Sequence, residues 1–152
     1  MYKRQSGYEL NLLSLSAEEC AAIAEQISFY KEYRNLLQFG KYYPIEERQE
    51  HIAGWCIVSE DKKRAVAMLA VTEKKSRYTA PYRYRLKGLR EDYVYRVSAR
   101  RQNNCAEFVP FCASGALLNN GKIMLGDFFA VSDRSENSNS VASRIFVLER
   151  QI

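Results

Sequence analysis

The sequence contains few of the residues that most catalytic and metal sites require. His51 is its only histidine, and the four cysteines include no CxxC pair. A zinc site needs a set of cysteine and histidine ligands, and a serine or cysteine nucleophile needs a neighbouring base. The chain also lacks a glycine-rich phosphate loop of the Walker or dinucleotide type. We therefore predict no metal, no cofactor and no nucleophilic triad.

Long apolar runs are absent too. No stretch approaches the roughly 20 residues of a membrane span, and no charged segment precedes an apolar core as in a signal peptide. We predict no membrane association and a cytoplasmic location. In that compartment Cys20, Cys56, Cys105 and Cys112 would stay reduced.

The basic excess is modest and dispersed. A net charge of +5 comes from 23 basic and 18 acidic residues, and the basic clusters, such as the pair Arg100-Arg101, are short. Nucleic-acid binding typically uses a concentrated basic stripe. We therefore predict no nucleic-acid partner and interpret the charge as a solvated surface, with a basic interaction domain as the less favoured alternative.

One segment has the pattern of a long amphipathic helix. Ser16 and Glu19 form a capping box, and Gly40 provides a C-terminal stop. Between them an apolar stripe recurs at three-and-four spacing: Cys20, Ile23, Ala24, Ile27, Tyr30, Arg34 and Leu37. The pattern predicts a helix of roughly 23 residues, about 35 Å long. A short alternating strand, Gly7 to Leu12, precedes it.

The remaining chain has the pattern of β-strands. The predicted strands are Ile52 to Val58, a central strand at Arg64 to Val71, a hairpin within Tyr82 to Val97, an edge strand at Glu107 to Phe111 and a buried strand at Ser143 to Leu148. Between the last two of these strands we predict a helical turn at Ser114 to Gly121 and a polar loop at Ser132 to Ser140. Short strands with hairpin breaks predict a mainly β fold, an antiparallel β-sandwich of the Greek-key type.

The hairpin shows the clearest alternation. Tyr82, Tyr84 and Leu86 would share one strand face, and Tyr93, Tyr95 and Val97 would repeat the pattern after a turn at Gly88. Sugar-binding sandwiches stack hexoses on such rings, so the four tyrosines are candidate stacking residues. Ordinary cross-strand packing is the favoured interpretation.

The acidic residues offer no catalytic pair. Hydrolysis of a glycosidic bond, for example, uses two carboxylates that face each other across a cleft. The candidates stand isolated in the sequence: Glu9, Asp61, Asp92, Glu107 and Asp127. Asp61 and Asp92 fall in turns, where acids usually cap the backbone. We predict no catalytic residue in this chain.

Seven colinear segments nevertheless resemble one enzyme family. They are Gly7 to Asn11, Gln26 to Arg34, Leu37 to Gly40, Trp55 with Val58 to Asp61, Arg85 to Leu89 with Tyr95 to Val97, Leu117 to Gly121, and Ser143 to Leu148. Together they resemble the carboxy-terminal part of glycoside hydrolase family 36 α-galactosidases. The likeness runs from about Gly7 to Glu149. No single motif is decisive, whereas the colinear set is specific.

The resemblance implies how the chain is divided. Residues 1–43 would be the last strand and helix of a catalytic (β/α)₈ barrel, and residues 44–152 a C-terminal antiparallel β-sandwich that packs against it. A barrel of this type takes about 250 residues, more than this chain can hold. We therefore expect a C-terminal fragment whose own role is structural, with a stand-alone carbohydrate-binding module as the alternative.

The resemblance also implies an activity. The family hydrolyses terminal α-galactosyl residues of melibiose- and raffinose-type oligosaccharides with retention, using two aspartates. Both aspartates precede the Gly7-Tyr8-Glu9-Leu10 strand, so no catalytic residue is carried over. The parent enzyme would be a homo-oligomer.

Three departures from the family pattern affect loops. Gly115 stands where an aspartate is common, Pro44 replaces a common arginine, and the Ser132 to Ser140 loop lengthens a short link.

The isolated chain would expose the helix stripe, so we also expect poor solubility or self-association.

Overall fold

The computed structural model describes residues 14–45, 52–71, 85–100, 108–121 and 142–151. The chain forms two compact units, residues 1–34 and 35–152. The boundary between them falls inside helix α1 (Ala17–Phe39). The predicted boundary at residue 43 stays a prediction.

Helix α1 has the predicted length of 23 residues. The Ser16 amide donates to Glu19 Oε2 at 2.8 Å, and the Glu19 amide donates to Ser16 Oγ at 3.2 Å, which confirms the capping box. These bonds lower the pKa of the Glu19 carboxyl. At the other end the Gly40 amide donates to the Leu36 carbonyl at 2.8 Å, so the helix stops where the sequence predicts.

Most of the predicted apolar stripe of α1 is accessible. Ile27 and Tyr30 are 39% and 40% exposed, and Cys20 is exposed. The buried residues of the helix are Tyr33 and Leu36, neither of which belongs to the predicted stripe.

The second unit is an antiparallel sheet. Its described strands are β1 (Lys41–Pro44), β2 (Ile52–Val58), β3 (Arg64–Val71), β4 (Val94–Ala99), β5 (Phe111–Ser114) and β6 (Ala142–Arg150). They are arranged in the order β1-β2-β3-β6-β4-β5, and every neighbouring pair is antiparallel. The last strand thus lies between β3 and β4. The prediction of a mainly β, antiparallel fold is confirmed.

The strands β2 and β3 have the bounds predicted from the sequence, and β3 is central, between β2 and β6. Ala65, Val66 and Ala67 are all fully buried, so both faces of β3 are covered. Strand β6 contains the predicted buried strand and extends it to Arg150.

Two edge strands differ from the prediction. The edge strand near Pro110 begins only at Phe111, because proline has no amide hydrogen to donate to a ladder. Strand β1 is not among the predicted strands, and its four residues end in Pro44 at the other edge of the sheet. A strand this short carries too little alternation to be recognised.

The predicted hairpin around Gly88 is wrong. Residues 95–97 of β4 pair with β5 on one side and with β6 on the other, so no edge remains there for Arg85 to Lys87. The Leu86 amide instead donates to the Leu118 carbonyl at 3.0 Å, in the short helix α2 (Gly115–Asn119). The face assignment within β4 is correct, since Tyr95 and Val97 are buried and Val94 and Arg96 are exposed.

The core lies on one face of the sheet. It contains residues from five strands and from the segments that cover them: Ile45, Cys56, Val58, Ala65, Ala67, Leu69, Leu86, Leu89, Tyr95, Val97, Phe108, Ala113, Leu118, Phe146 and Leu148. Helix α2 begins at the predicted helical turn, where the Leu117 amide donates to Ser114 Oγ at 3.3 Å. The predicted strand Gly7 to Leu12 and the loop Ser132 to Ser140 lie outside the described residues.

Gly88 is a point at which this packing can be tested. Its φ is +91°, and a Cβ there would lie 2.2 Å from the Tyr43 ring. We expect Gly88→Ala to lower the free energy of unfolding by about 2 kcal/mol or more, from backbone strain and overpacking together. Urea denaturation measures the loss.

The double variant Gly88→Ala/Tyr43→Ala separates the two causes. Without the ring the overpacking disappears and only the backbone strain remains, so Gly88→Ala should cost less on a Tyr43→Ala background than on the natural one. An unchanged unfolding midpoint for Gly88→Ala would contradict the described turn.

Candidate functional site

The carboxylates of Asp61 and Asp92 are engaged by neighbouring residues of their own turns. Ser59 Oγ donates to Asp61 Oδ1 at 2.7 Å and the Lys63 amide donates to the same oxygen at 3.0 Å. Arg90 Nε donates to Asp92 Oδ1 at 2.7 Å. The hydrogen bond from Ser59 is the main reason why the pKa of the Asp61 carboxyl is lowered. The hydrogen bond from Arg90 likewise lowers the pKa of the Asp92 carboxyl. A general acid needs a raised pKa, so neither group is prepared for that role.

The other predicted acids, Glu9, Glu107 and Asp127, lie outside the described residues, as does His51. Within the described ranges no three metal-ligating side chains come together. Burial raises the pKa of the Cys56 thiol to about 12, which makes it a poor nucleophile at neutral pH. Cys20 and Cys112 are free and exposed thiols.

Of the candidate stacking tyrosines, the structure describes Tyr93 and Tyr95, and neither ring is free to stack on a sugar. Tyr95 is fully buried, and the ring of Tyr93 has the guanidinium of Arg90 at 4.7 Å and that of Arg150 at 4.0 Å from its centre. Tyr82 and Tyr84 lie outside the described residues. The stacking hypothesis is therefore wrong for Tyr95, and the packing interpretation holds for β4.

The Tyr95 hydroxyl connects three parts of the sheet unit. It donates to the Lys62 carbonyl at 2.7 Å and accepts from the Arg90 amide at 3.1 Å. Burial raises the pKa of this phenol. One side chain thus holds the turn before β3 and the segment before β4 to the core.

A second polar contact holds the segment around Leu89. Asn119 Nδ2 donates to the Leu89 carbonyl at 2.9 Å, and the Leu89 amide donates to Asn119 Oδ1 at 3.3 Å. The side-chain amide of Asn119 therefore satisfies both the backbone N–H and the backbone carbonyl of Leu89, as an adjacent strand would.

The sheet unit has two concave surfaces of interest. One, of about 500 Å³, is lined by charged and amide side chains: Lys63, Arg64, Glu149, Arg150 and Gln151. The other, of about 250 Å³, combines aromatic rings with charges and is lined in part by Phe39, Lys41, Tyr43, Glu60, Lys62 and Gly88. We call it the Phe39 cleft.

Sequence reasoning did not identify the Phe39 cleft. Its residues come from the end of α1, from β1, from the turn at 59–62 and from Gly88, so no local pattern unites them. The one local signal is the run of aromatic residues at Phe39, Tyr42 and Tyr43, of which Phe39 is 80% exposed.

A family model and similar proteins relate this chain to glycosyl hydrolase family 36 and to α-galactosidases. Residues 52–148 match the family model described as the glycosyl hydrolase family 36 C-terminal domain. The bifunctional α-galactosidase/sucrose kinase AgaSK of Mediterraneibacter gnavus is 38% identical over 90 residues, which are 59% of this chain and 10% of that protein. The α-galactosidase AgaA of Geobacillus stearothermophilus is 36% identical over 96 residues, 60% of this chain and 12% of its own length.

Solved structures of α-galactosidases also superpose on this chain. The crystal structure of the α-galactosidase from Lactobacillus brevis superposes with a TM-score of 0.76 at 27% identity, covering 96% of this chain and 18% of that one. The galactosidase domain of AgaSK gives a TM-score of 0.71 at 28% identity, covering 95% and 18%. The chain thus spans less than a fifth of these relatives. No helix in the described part of the chain is long and apolar enough to cross a membrane.

The Tyr95 contacts generate a test. Tyr95→Phe removes the hydroxyl that serves the Lys62 carbonyl and the Arg90 amide. We expect a loss of about 1–3 kcal/mol in the free energy of unfolding at neutral pH, the cost of leaving such groups unpaired. Tyr42→Phe is the matched control, since Tyr42 is 58% exposed, and its effect should be close to zero.

The loss should depend on pH in a defined direction. Because the folded-state pKa of Tyr95 is raised, its contribution is fully present below the unfolded tyrosine pKa of about 10 and is lost as pH rises from that value through the higher folded-state pKa. The stability gap between the natural chain and Tyr95→Phe should therefore narrow in alkali. A gap that widens above that pH would contradict the proposed hydrogen bonds.

Proposed function

The chain belongs to glycosyl hydrolase family 36, and we propose that it serves as the C-terminal part of an α-galactosidase. The observation that carries the proposal is the match of residues 52–148 to the C-terminal domain of that family. The likeness to the Lactobacillus brevis enzyme, at a TM-score of 0.76, supports it.

We propose that the chain itself is structural and catalytically inactive. In this view its sheet unit supports a catalytic barrel, and the two catalytic aspartates belong to that barrel. The lowered pKa values of Asp61 and Asp92 support this division, because these acids are engaged in turns. The substrates of the whole enzyme would be terminal α-galactosyl residues of melibiose- and raffinose-type oligosaccharides.

We further propose that the protein is cytoplasmic. The exposed free thiols Cys20 and Cys112 support a reducing compartment, because such thiols are oxidised readily in secreted proteins. The whole enzyme would be a homo-oligomer without nucleic-acid or membrane partners.

A domain exchange tests the enzymatic proposal. In AgaA of Geobacillus stearothermophilus the C-terminal domain is replaced by residues 40–152 of this chain, so that strand β1 (Lys41–Pro44) is transplanted with the rest of the sheet. We expect the chimera to hydrolyse p-nitrophenyl α-galactoside, because the transplanted sheet has the fold that supports the barrel. The isolated 152-residue chain should show no turnover.

Two control proteins show whether activity or inactivity of the chimera is due to the exchanged domain. AgaA with its own domain rejoined at the same junction should remain active, and AgaA without the domain should lose activity. Turnover by the isolated chain would refute the structural role. A folded but inactive chimera beside an active rejoined control would refute the assignment as a supporting domain.

The exposed stripe of α1 leads to a second expectation. Ile27 is 39% exposed, and we propose that the rest of the enzyme covers this stripe. The isolated chain should therefore self-associate through it, and sedimentation velocity should show species larger than a monomer that grow with concentration.

The variant Ile27→Lys should shift the sedimentation profile towards monomer. Ala21→Lys adds the same charge at an exposed position outside the stripe and should leave the profile unchanged. A single sharp monomer peak for the unaltered chain at high concentration would rule out the association.

A further inference from the structure

The Phe39 cleft combines aromatic rings with charged side chains. Phe39 is 80% exposed, the largest exposed fraction among the large apolar residues described. Beside it, Tyr43 is half-buried, with the Lys41 ammonium 5.5 Å from the centre of its ring. The remaining polar lining includes one carboxylate, Glu60, and the ammonium of Lys62.

Backbone and side-chain contacts fix the walls of the cleft. The turn that carries Glu60 and Lys62 is closed by the Ser59 amide, which donates to the Arg64 carbonyl at 2.9 Å. The Lys62 carbonyl is held by the Tyr95 hydroxyl, and Lys62 has a φ of 56°, which is uncommon for a lysine. Gly88, another lining residue, packs against the Tyr43 ring. The cleft therefore exists before any ligand enters.

The chemistry of the lining selects among ligands. A purely apolar ligand would remove water from the charged groups of Lys41, Glu60 and Lys62 without replacing their hydrogen bonds, which is costly. A phosphate or carboxylate would be attracted by the Lys41 and Lys62 ammonium groups but repelled by the Glu60 carboxylate, so it would not use the whole lining. A pyranose ring has an apolar C–H face for an aromatic ring and hydroxyls that both donate and accept. It matches a lining with rings, a carboxylate acceptor and ammonium donors.

The size of the cleft limits the ligand to one ring. Its volume of about 250 Å³ lies below the roughly 300–1,000 Å³ typical of pockets for drug-sized molecules. A single exposed ring and a few hydrogen bonds to solvated groups give weak binding, in the millimolar range.

We propose that the Phe39 cleft binds a neutral pyranose unit of a carbohydrate, with Phe39 against the C–H face of the sugar and Glu60 and Lys62 as partners of its hydroxyls. This site does not depend on the proposed catalytic role, since it lies wholly within the sheet unit. It differs from the platform predicted at Tyr93 and Tyr95, because neither of these two tyrosines, which lie in the described part of the chain, lines it.

The test is a titration of the full 152-residue chain, followed by ¹⁵N–¹H correlation spectra. The probes are methyl α-galactopyranoside, methyl α-glucopyranoside and, as an anionic competitor, inorganic phosphate. We expect the amides of Phe39, Lys41, Lys62 and Gly88 to shift with a millimolar midpoint for at least one of the two glycosides. Phosphate at the same concentrations should leave them in place.

Phe39→Ala should weaken glycoside binding about fivefold or more, the effect of losing one aromatic contact. Tyr42→Ala is the matched control, since it removes an exposed ring of the neighbouring strand that does not line the cleft. Its affinity should stay at the natural value. Glu60→Gln provides a second test that removes the charged acceptor and keeps the size of the side chain.

Each outcome has a fixed meaning. Shifts at the cleft that Phe39→Ala and Glu60→Gln weaken, and Tyr42→Ala does not, support the site. No shift with either glycoside, shifts only with phosphate, or binding unaffected by both cleft variants would overturn it. None of these results depends on α-galactosidase activity, so failure of the cleft and failure of the proposed function are distinguishable.

Discussion

The segment before β4 has to satisfy its backbone without a neighbouring strand. Residues 95–97 are paired on both sides, and the approach to them from Leu86 to Arg90 therefore lies outside the sheet. Buried peptide groups need hydrogen-bond partners wherever they lie. Here the partners are the Leu118 carbonyl, the Asn119 side chain and the Tyr95 hydroxyl. The position of Leu86 and Leu89 in the core depends on these few contacts.

The same contacts also hold residues that line a surface cleft, or their neighbours, in place. The Tyr95 hydroxyl holds Lys62 through its carbonyl, and the paired amide of Asn119 holds Leu89, the neighbour of Gly88. Lys62 and Gly88 are two walls of the Phe39 cleft. A buried network therefore determines the shape of an exposed concavity, although none of its hydroxyl or amide groups lines that concavity.

The sequence predicted those parts of the fold that depend on local pattern. The capping box, the stop at Gly40 and the bounds of β2 and β3 follow from spacing and apolar character, and all were confirmed. Alternation correctly assigned the faces of β4 but not its partners, because a period of two specifies which side chains are buried and not which strand lies alongside. The Phe39 cleft joins residues up to about 50 positions apart, so only tertiary contacts could reveal it.

Two of the motifs that carry the family resemblance contact each other. The segment Arg85 to Leu89 is joined to Leu117 to Gly121 by the Leu86–Leu118 bond and by the reciprocal Asn119–Leu89 pair. Apolar strands tolerate many substitutions of similar volume, whereas a side-chain amide that replaces a strand partner requires one residue type at one position. A recognisable motif in this domain therefore indicates a backbone that must be held in place, and it requires no catalytic group at that position.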